Sequence, residues 1–205
     1  MKILNLYAGI GGNRKLWGNT HDITAIEYNP KIAKIYQDFF PNDKVIIADA
    51  HQYLLEHYKE FDFIWSSPPC QTHSRARFWS SKGGKVKTLY PDMFLYQEIL
   101  LLTNYFKGRW CVENVIPYYK TLIQGQKIGR HMFWSNFYIE DFKHEKLDIN
   151  KGNLKSWQKK IGLNIEGKKI SQRKDQILRN CVEPELGKHI LDLAIHPIQF
   201  QKTIF

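Results

Sequence analysis

A cysteine set behind two prolines, in the run Ser66-Ser67-Pro68-Pro69-Cys70-Gln71-Thr72-His73-Ser74, is followed along the chain by Glu113-Asn114-Val115 and preceded by the glycine-rich turn Gly9-Ile10-Gly11-Gly12. A nucleophile, an acid and a ligand-binding turn thus occur in chain order. Two prolines stiffen the loop and hold the sulfur in one place, while a partly buried glutamic acid with a raised pKa can donate a proton. Together they suit covalent catalysis on a ring, in which a thiolate adds to one carbon as an acid protonates a ring nitrogen. Each part alone has a plainer reading: a tight strand-to-helix connection for the glycines, a packed cysteine in a proline turn, a strand-end carboxylate in a salt bridge. Their joint order and spacing favour chemistry. His73 lies close to Cys70 and receives no role.

The elements that must position these groups read as strands alternating with helices. Residues 3–7 form a buried strand, the glycine turn follows, and Asn13 to Trp17 start a helix; a second strand over 23–26 ends at Glu27. Asn29-Pro30 caps a helix running to Phe40, residues 45–48 make a third strand stopping at Asp49, and 61–65 a fourth. This alternation predicts an α/β fold with a mainly parallel sheet, which gathers Gly9 to Gly12, Glu27, Asp49 and Ser67 to Cys70 at its carboxyl edge. Ser74 to Thr88 lacks periodicity and reads as a mobile loop. A helix from Pro91-Asp92 to Asn104 precedes a strand over 110–112 that delivers Glu113, and 126–139 suggests a hairpin turning at Trp134-Ser135-Asn136. Two closing helices, 171–180 and 184–196, complete the core.

A length of 205 residues allows one well-buried domain with a small appendage. No apolar run approaches a bilayer span and the N-terminus lacks a signal-peptide layout, so the expectation is a soluble, cytoplasmic protein with no membrane partner. Three cysteines, Cys70, Cys111 and Cys181, are too few and too scattered for a disulfide framework, and no metal site is expected; Cys111 and Cys181 are read as packing residues. The net charge of +10 is concentrated in two segments. Arg75 to Lys87 holds five basic residues and no acid, and Lys143 to Lys174 holds ten basic and three acidic. Such segregation suits phosphate-backbone binding, with a solvated basic face as the plain alternative.

With these residues in hand, the chain resembles the cytosine-5 DNA methyltransferase family over almost its whole length except 140–170. Asn5-Leu6-Tyr7-Ala8-Gly9-Ile10-Gly11-Gly12 is similar to that family's first motif, with Asn5 for the usual aspartate and Tyr7 for phenylalanine. Pro69-Cys70-Gln71 and Glu113-Asn114-Val115 match its catalytic motifs unchanged. Gln126-Lys127-Ile128-Gly129-Arg130 resembles its basic motif with only the second arginine kept, and Arg179-Asn180-Cys181-Val182 its closing motif. The resemblance implies a Rossmann-like, S-adenosylmethionine-dependent methyltransferase fold with helices on both faces of the sheet. It implies S-adenosylmethionine bound by Tyr7, Ala8, Gly9, Gly11, Gly12, Glu27, Tyr28, Asp49, Ala50, Pro69, Asn180 and Val182, and catalysis by Cys70, Gln71, Glu113, Asn114 and Arg130. It also implies an extruded cytosine and a setting in DNA methylation, a restriction-modification system included.

The resemblance divides the chain into a catalytic and cofactor-binding core over 1–139, a reduced target-recognition insertion over 140–170, and helices completing the core over 171–205. A large recognition domain usually fills that place; here about forty residues remain, from Asn136 to Lys174. They supply lysines, Trp157 and Gln158 for backbone contact and base stacking, so short or relaxed specificity is expected. Phe78 and Trp79, in the basic stretch after Cys70, would fill the gap left by an extruded base. The expected partner is DNA, duplex or single-stranded, with RNA possible, acted on by a monomer. Three rivals stay open: the tRNA-methylating branch of the same family, an amino-group methyltransferase suggested by Ser67-Pro68-Pro69, and a non-catalytic relic that binds S-adenosylmethionine or DNA.

Overall fold

The computed structural model describes residues 1–143, 153–170 and 173–196. Residues 144–152 of the expected insertion, 171–172 of the first closing helix, and 197–205 lie outside the described residues. Seven strands form one sheet: β1 (Lys2–Leu6), β2 (Asp22–Ile26), β3 (Lys44–Ile46), β4 (Phe63–Ser66), β5 (Arg109–Val115), β6 (Gln126–Ile128) and β7 (His131–Ser135). Their order is β3-β2-β1-β4-β5-β7-β6, parallel from β3 to β5, with β7 antiparallel to both β5 and β6. The chain steps outward from β1 to β3 and then returns to β4 on the other side of β1. Strand order reverses there, and a crevice opens beyond the carboxyl ends.

Side-chain alternation assigns the two faces. Leu4, Leu6, Ile26, Ile64 and Val112 meet α2 (Ala50–His57) and α4 (Phe94–Tyr105) on one face. Ile3, Phe63, Trp65, Cys111 and Phe133 meet α7 (Pro184–Ile195) on the other. A third cluster joins α1 (Pro30–Phe39), α5 (Leu154–Ile161) and α6 (Lys174–Arg179) around Tyr36, Trp157 and Leu178. The Rossmann-like fold with helices on both faces is therefore present. Asn29 caps α1, its side chain accepting from Lys31 N, with Pro30 in the first turn; Asp49 caps α2, accepting from Gln52 N at 2.9 Å.

Several expectations fail for local reasons. No helix starts at Asn13 to Trp17; those residues form successive turns, and Gly18 takes a left-handed φ of +74° before β2. Three buried side chains there point to separate anchors: Asn13 to Asn5, Arg14 to Asp43, and the Trp17 indole to the Gly187 carbonyl. The span 74–88 is not all loop, because α3 (Arg75–Lys82) forms within it. The hairpin turns at Gly129-Arg130 rather than at 134–136, since the left-handed φ of +58° falls on Gly129. Trp134 instead lies inside β7. Trp157, expected to stack on bases, is 1% exposed and packs in the core, while the Gln158 side chain accepts from Ile165 N. That part of the expected excursion is folded against α1 and α6.

Candidate active site

A cavity of about 590 Å³ occupies the crevice, within the range of small-molecule sites. Tyr7, Ala8, Gly9 and Gly12 line it beyond β1, Glu27 and Tyr28 beyond β2, and Asp49 and Ala50 beyond β3. Pro69, Cys70 and Gln71 enter from the loop after β4, Glu113 from β5, Arg130 from the β6–β7 turn, and Asn180 and Val182 from the segment after α6. Two expected residues lie behind the wall. A Cβ on Gly11 would meet the Phe40 and Tyr36 rings at 2.3 and 2.9 Å, so its glycine serves packing. Asn114 is buried and donates to the Pro68 carbonyl at 2.9 Å, fixing the loop that carries Cys70.

The β1–β3 side combines a glycine turn, a half-buried carboxyl and an exposed aromatic ring. Gly9 adopts φ +56°, and its N–H donates to Glu27 Oε2 at 3.0 Å while Asn29 N–H donates to Oε1 at 2.8 Å. Burial raises the Glu27 carboxyl above its ordinary range against the lowering effect of these N–H groups. Beside it the Tyr28 ring is 76% exposed, a free aromatic face. The closing segment approaches closely: a Cβ on Gly12 would lie 2.5 Å from Cys181 Cβ and 2.9 Å from the Val182 carbonyl. Glycine at position 12 lets that wall close. Asn5, in place of the usual acid, is fully buried and accepts from Asn13 Nδ2 at 2.9 Å.

On the β4–β7 side Cys70 is half-buried. Burial, then the nearby Glu113 charge, pushes its thiol up to about 11, with Arg130 pulling the other way. Glu113 sits two residues inside the end of β5, opposite Phe133, rather than at the strand end. Arg130 gives its two terminal nitrogens to backbone: Nη1 to Arg179 O at 2.6 Å and Nη2 to Cys181 O at 2.8 Å. It thereby ties the hairpin to the closing segment, with its guanidinium 5.8 Å from the Trp157 ring. Gln126, which opens the same motif, spends its side-chain amide on the Ile139 carbonyl.

Two groups of residues escaped the reading of the sequence. Glu98 is fully buried on α4 and accepts from Tyr7 OH at 2.6 Å and Ser66 Oγ at 2.5 Å, with His51 Nδ1 at 3.1 Å. Three partners satisfy that carboxylate and brace the ends of β1 and β4 against α2 and α4. The hydrogen bond with Glu98 holds the His51 ring above its usual range, and burial, then the Glu98 charge, pushes the Tyr7 hydroxyl well up. A signal existed: Glu98 stands between Leu95, Ile99 and Leu102 on the apolar stripe of its helix. His131, buried at the start of β7, lies 2.5 Å from Glu113 Oε1 through Nδ1 and lines the cavity. No motif pointed to it.

This assembly defines a class, a Rossmann-like fold of the methyltransferase type with a thiol and a carboxyl in one cavity beside a glycine turn. Within that class, residues 1–97 match the model of the C-5 cytosine-specific DNA methylase family. A variant of DNMT2 from Spodoptera frugiperda is similar at 28% identity over 56% of this chain and 35% of its own, with a TM-score of 0.38. The methyltransferase EhMeth of Entamoeba histolytica is similar at 15% identity over 76% and 62%, with a TM-score of 0.45. A SAM-dependent methyltransferase of Agrobacterium tumefaciens is similar at 12% identity over 56% and 38%, with a TM-score of 0.39. No curated protein matches the chain. Among the described residues no helix is long and apolar enough to cross a membrane, and no cluster of His, Cys, Asp and Glu could hold a metal.

Proposed function

We propose that the chain is an S-adenosylmethionine-dependent cytosine-5 methyltransferase acting on DNA through a covalent Cys70 intermediate. The observation that carries this reading is that Cys70 and Glu113 line the same cavity as Gly9, Glu27 and Asp49. Glu27 would take the ribose hydroxyls, Tyr28 would lie against the adenine, Asp49 would meet its edge, and the Gly9 to Gly12 turn would hold the methionine part, with Asn180 and Val182 closing over it. S-adenosylmethionine, when bound, supplies an electrophilic methyl group.

Cys70 Sγ, as thiolate, adds to carbon 6 of an extruded cytosine while Glu113 passes a proton to N3. The ring electron pair then resides at carbon 5, which becomes nucleophilic enough to take the methyl. Loss of the carbon-5 proton to water and elimination of Cys70 as thiolate restore the aromatic ring, and N3 returns its proton to Glu113. Asn114 keeps Cys70 in place through Pro68, and Arg130 opposes the charge of Glu113 on the thiol.

Target recognition is the part for which the least chain is available. We assign it to the exposed basic α3 segment and to what 140–170 leaves free, working as a cytoplasmic monomer with short or relaxed specificity. With Trp157, Ile161, Leu163 and Ile165 folded into the core, little remains to read a long site by direct hydrogen bonds. An unstacked substrate, single-stranded DNA or a tRNA loop, then gains weight, because it avoids a flipping cost of about a few kcal/mol.

The test offers labelled S-adenosylmethionine with duplex DNA, single-stranded DNA and tRNA, followed by product analysis and trapping on a 5-fluorocytosine substrate. Expected are 5-methylcytosine and a denaturation-resistant adduct that Cys70→Ser abolishes. N4-methylcytosine, or methylation surviving Cys70→Ser, would overturn the mechanism; activity on tRNA alone would move the substrate to RNA. The thiol raised to about 11 adds a pH signature. Alkylation of Cys70 by iodoacetamide should rise about tenfold per pH unit between pH 7 and 9, and Glu113→Gln should quicken it by removing the charge that disfavours the thiolate.

A further inference from the structure

We propose that His131 is a positioning residue for Glu113, a role that rests on the reading of the site given above. The two side chains stand on the same face of the sheet: Glu113 pairs across β5–β7 with Phe133, and His131 is the diagonal neighbour two residues earlier. His131 Nδ1 and Glu113 Oε1 are 2.5 Å apart, and both residues are buried. The other ring nitrogen, Nε2, is buried without a hydrogen-bond partner. A proton on Nε2 would have no acceptor, so in the neutral ring the proton belongs on Nδ1, where it is donated to the carboxyl.

That contact divides the work of the two carboxyl oxygens. Oε1 is held by the imidazole, which fixes the rotamer of Glu113, and Oε2 is left for the ring nitrogen of the base. Arg130, the charged residue next in sequence, does not compete for Glu113, because its terminal nitrogens hold the carbonyls of Arg179 and Cys181. Among the described residues, His131 is therefore the side chain that orients the acid. It acts through Glu113 and does not itself receive the substrate.

The experiment compares wild type, His131→Phe, which keeps a ring but removes the donor, and His131→Asn, whose amide can present an N–H near the position of Nδ1. Steady-state methyl transfer, adduct formation on 5-fluorocytosine DNA and equilibrium binding of S-adenosylmethionine are measured for each. His131→Phe should lower kcat and the rate of adduct formation by about a hundredfold, the scale of a misplaced catalytic group, while the KM and binding of S-adenosylmethionine stay unchanged. His131→Asn should recover most of the loss. Unchanged kcat in His131→Phe would overturn the role, as would an Asn variant that binds the cofactor normally yet is as slow as the Phe variant. Should the Phe variant lose cofactor binding through misfolding, the Asn variant decides: near-wild-type kcat supports the role and a hundredfold loss overturns it. A wild type that yields no 5-methylcytosine would overturn the reading of the site itself and the role with it, an outcome distinct from an active enzyme indifferent to position 131.

Discussion

Two basic helices of equal length fare differently in this fold. In α3 none of Arg75 to Lys82 is buried, and Trp79 is 66% exposed; in α5, which also carries three basic residues, Trp157 and Ile161 are buried with Leu163 and Ile165 just beyond. The apolar residues of α5 recur at Leu154, Trp157 and Ile161, one stripe of a helix; two of its three lysines, Lys155 and Lys159, are exposed, and Lys160 pairs with Glu183. In α3 the aromatic residues Phe78 and Trp79 are adjacent and form no stripe; they meet edge to face at 5.5 Å, and Phe78 also stacks on Tyr118 at 4.1 Å. Charge density marks both segments alike. Spacing of the apolar residues decides which one folds inward.

The contrast breaks most directly at its two tryptophans. Trp157→Ala removes a large side chain from the cluster shared by α1, α5 and α6, and should cost about 3–5 kcal/mol. Urea unfolding measures it, with weakened S-adenosylmethionine binding as the correlate, because Trp157 backs the Arg130 that holds the closing segment. Trp79→Ala should leave stability within about 0.5 kcal/mol. Equal losses would mean that α3 is as much a part of the core as α5.

Much of the fold could be read from local patterns, and the reasons are visible residue by residue. Asn29-Pro30 carries helix-start chemistry in its own side chains, and the buried runs of β1, β2 and β4 have the continuous apolar character of strands covered on both faces. Asp49, by contrast, reads only as a strand end, and α2 after it escapes the pattern. Cys70, Glu113 and Glu27 follow from order along a parallel sheet, since such a topology gathers successive strand ends. What local pattern could not supply is contact between distant segments. Gly11 and Gly12 look alike in sequence, yet one faces Phe40 and the other Cys181. His131 meets Glu113 only because β7 runs antiparallel to β5 in one particular register, and Arg14 looks like a surface cation until Asp43 receives it with two hydrogen bonds.

A smaller effect sharpens the contrast on the side of charge. Lys82, Lys85 and Lys87 are exposed, and replacing all three with Gln should leave the unfolding curve in place. Affinity for the nucleic-acid substrate should fall by about ten- to a hundredfold at low salt, and the slope of log affinity against log salt should lose about two to three units. Fluorescence anisotropy across a salt series gives both numbers. An unchanged slope would show that this segment is only a solvated face.

The smallest effects lie at the glycines that end the two helices, where the same change should act in opposite directions. Gly162 closes α5 at φ +67°, and its N–H donates to the Gln158 carbonyl; a Cβ there would meet only the flexible end of Lys15 at 3.5 Å. Gly162→Ala therefore costs backbone strain and no steric clash, about 1 kcal/mol. Gly83 closes α3 at φ −81°, a conformation open to any residue, and a Cβ would make an ordinary 3.5 Å contact with the Trp79 carbonyl. Gly83→Ala should then be neutral or stabilising by about 0.5 kcal/mol, because alanine restricts the unfolded chain more than glycine does. Thermal unfolding of the two variants side by side resolves the sign.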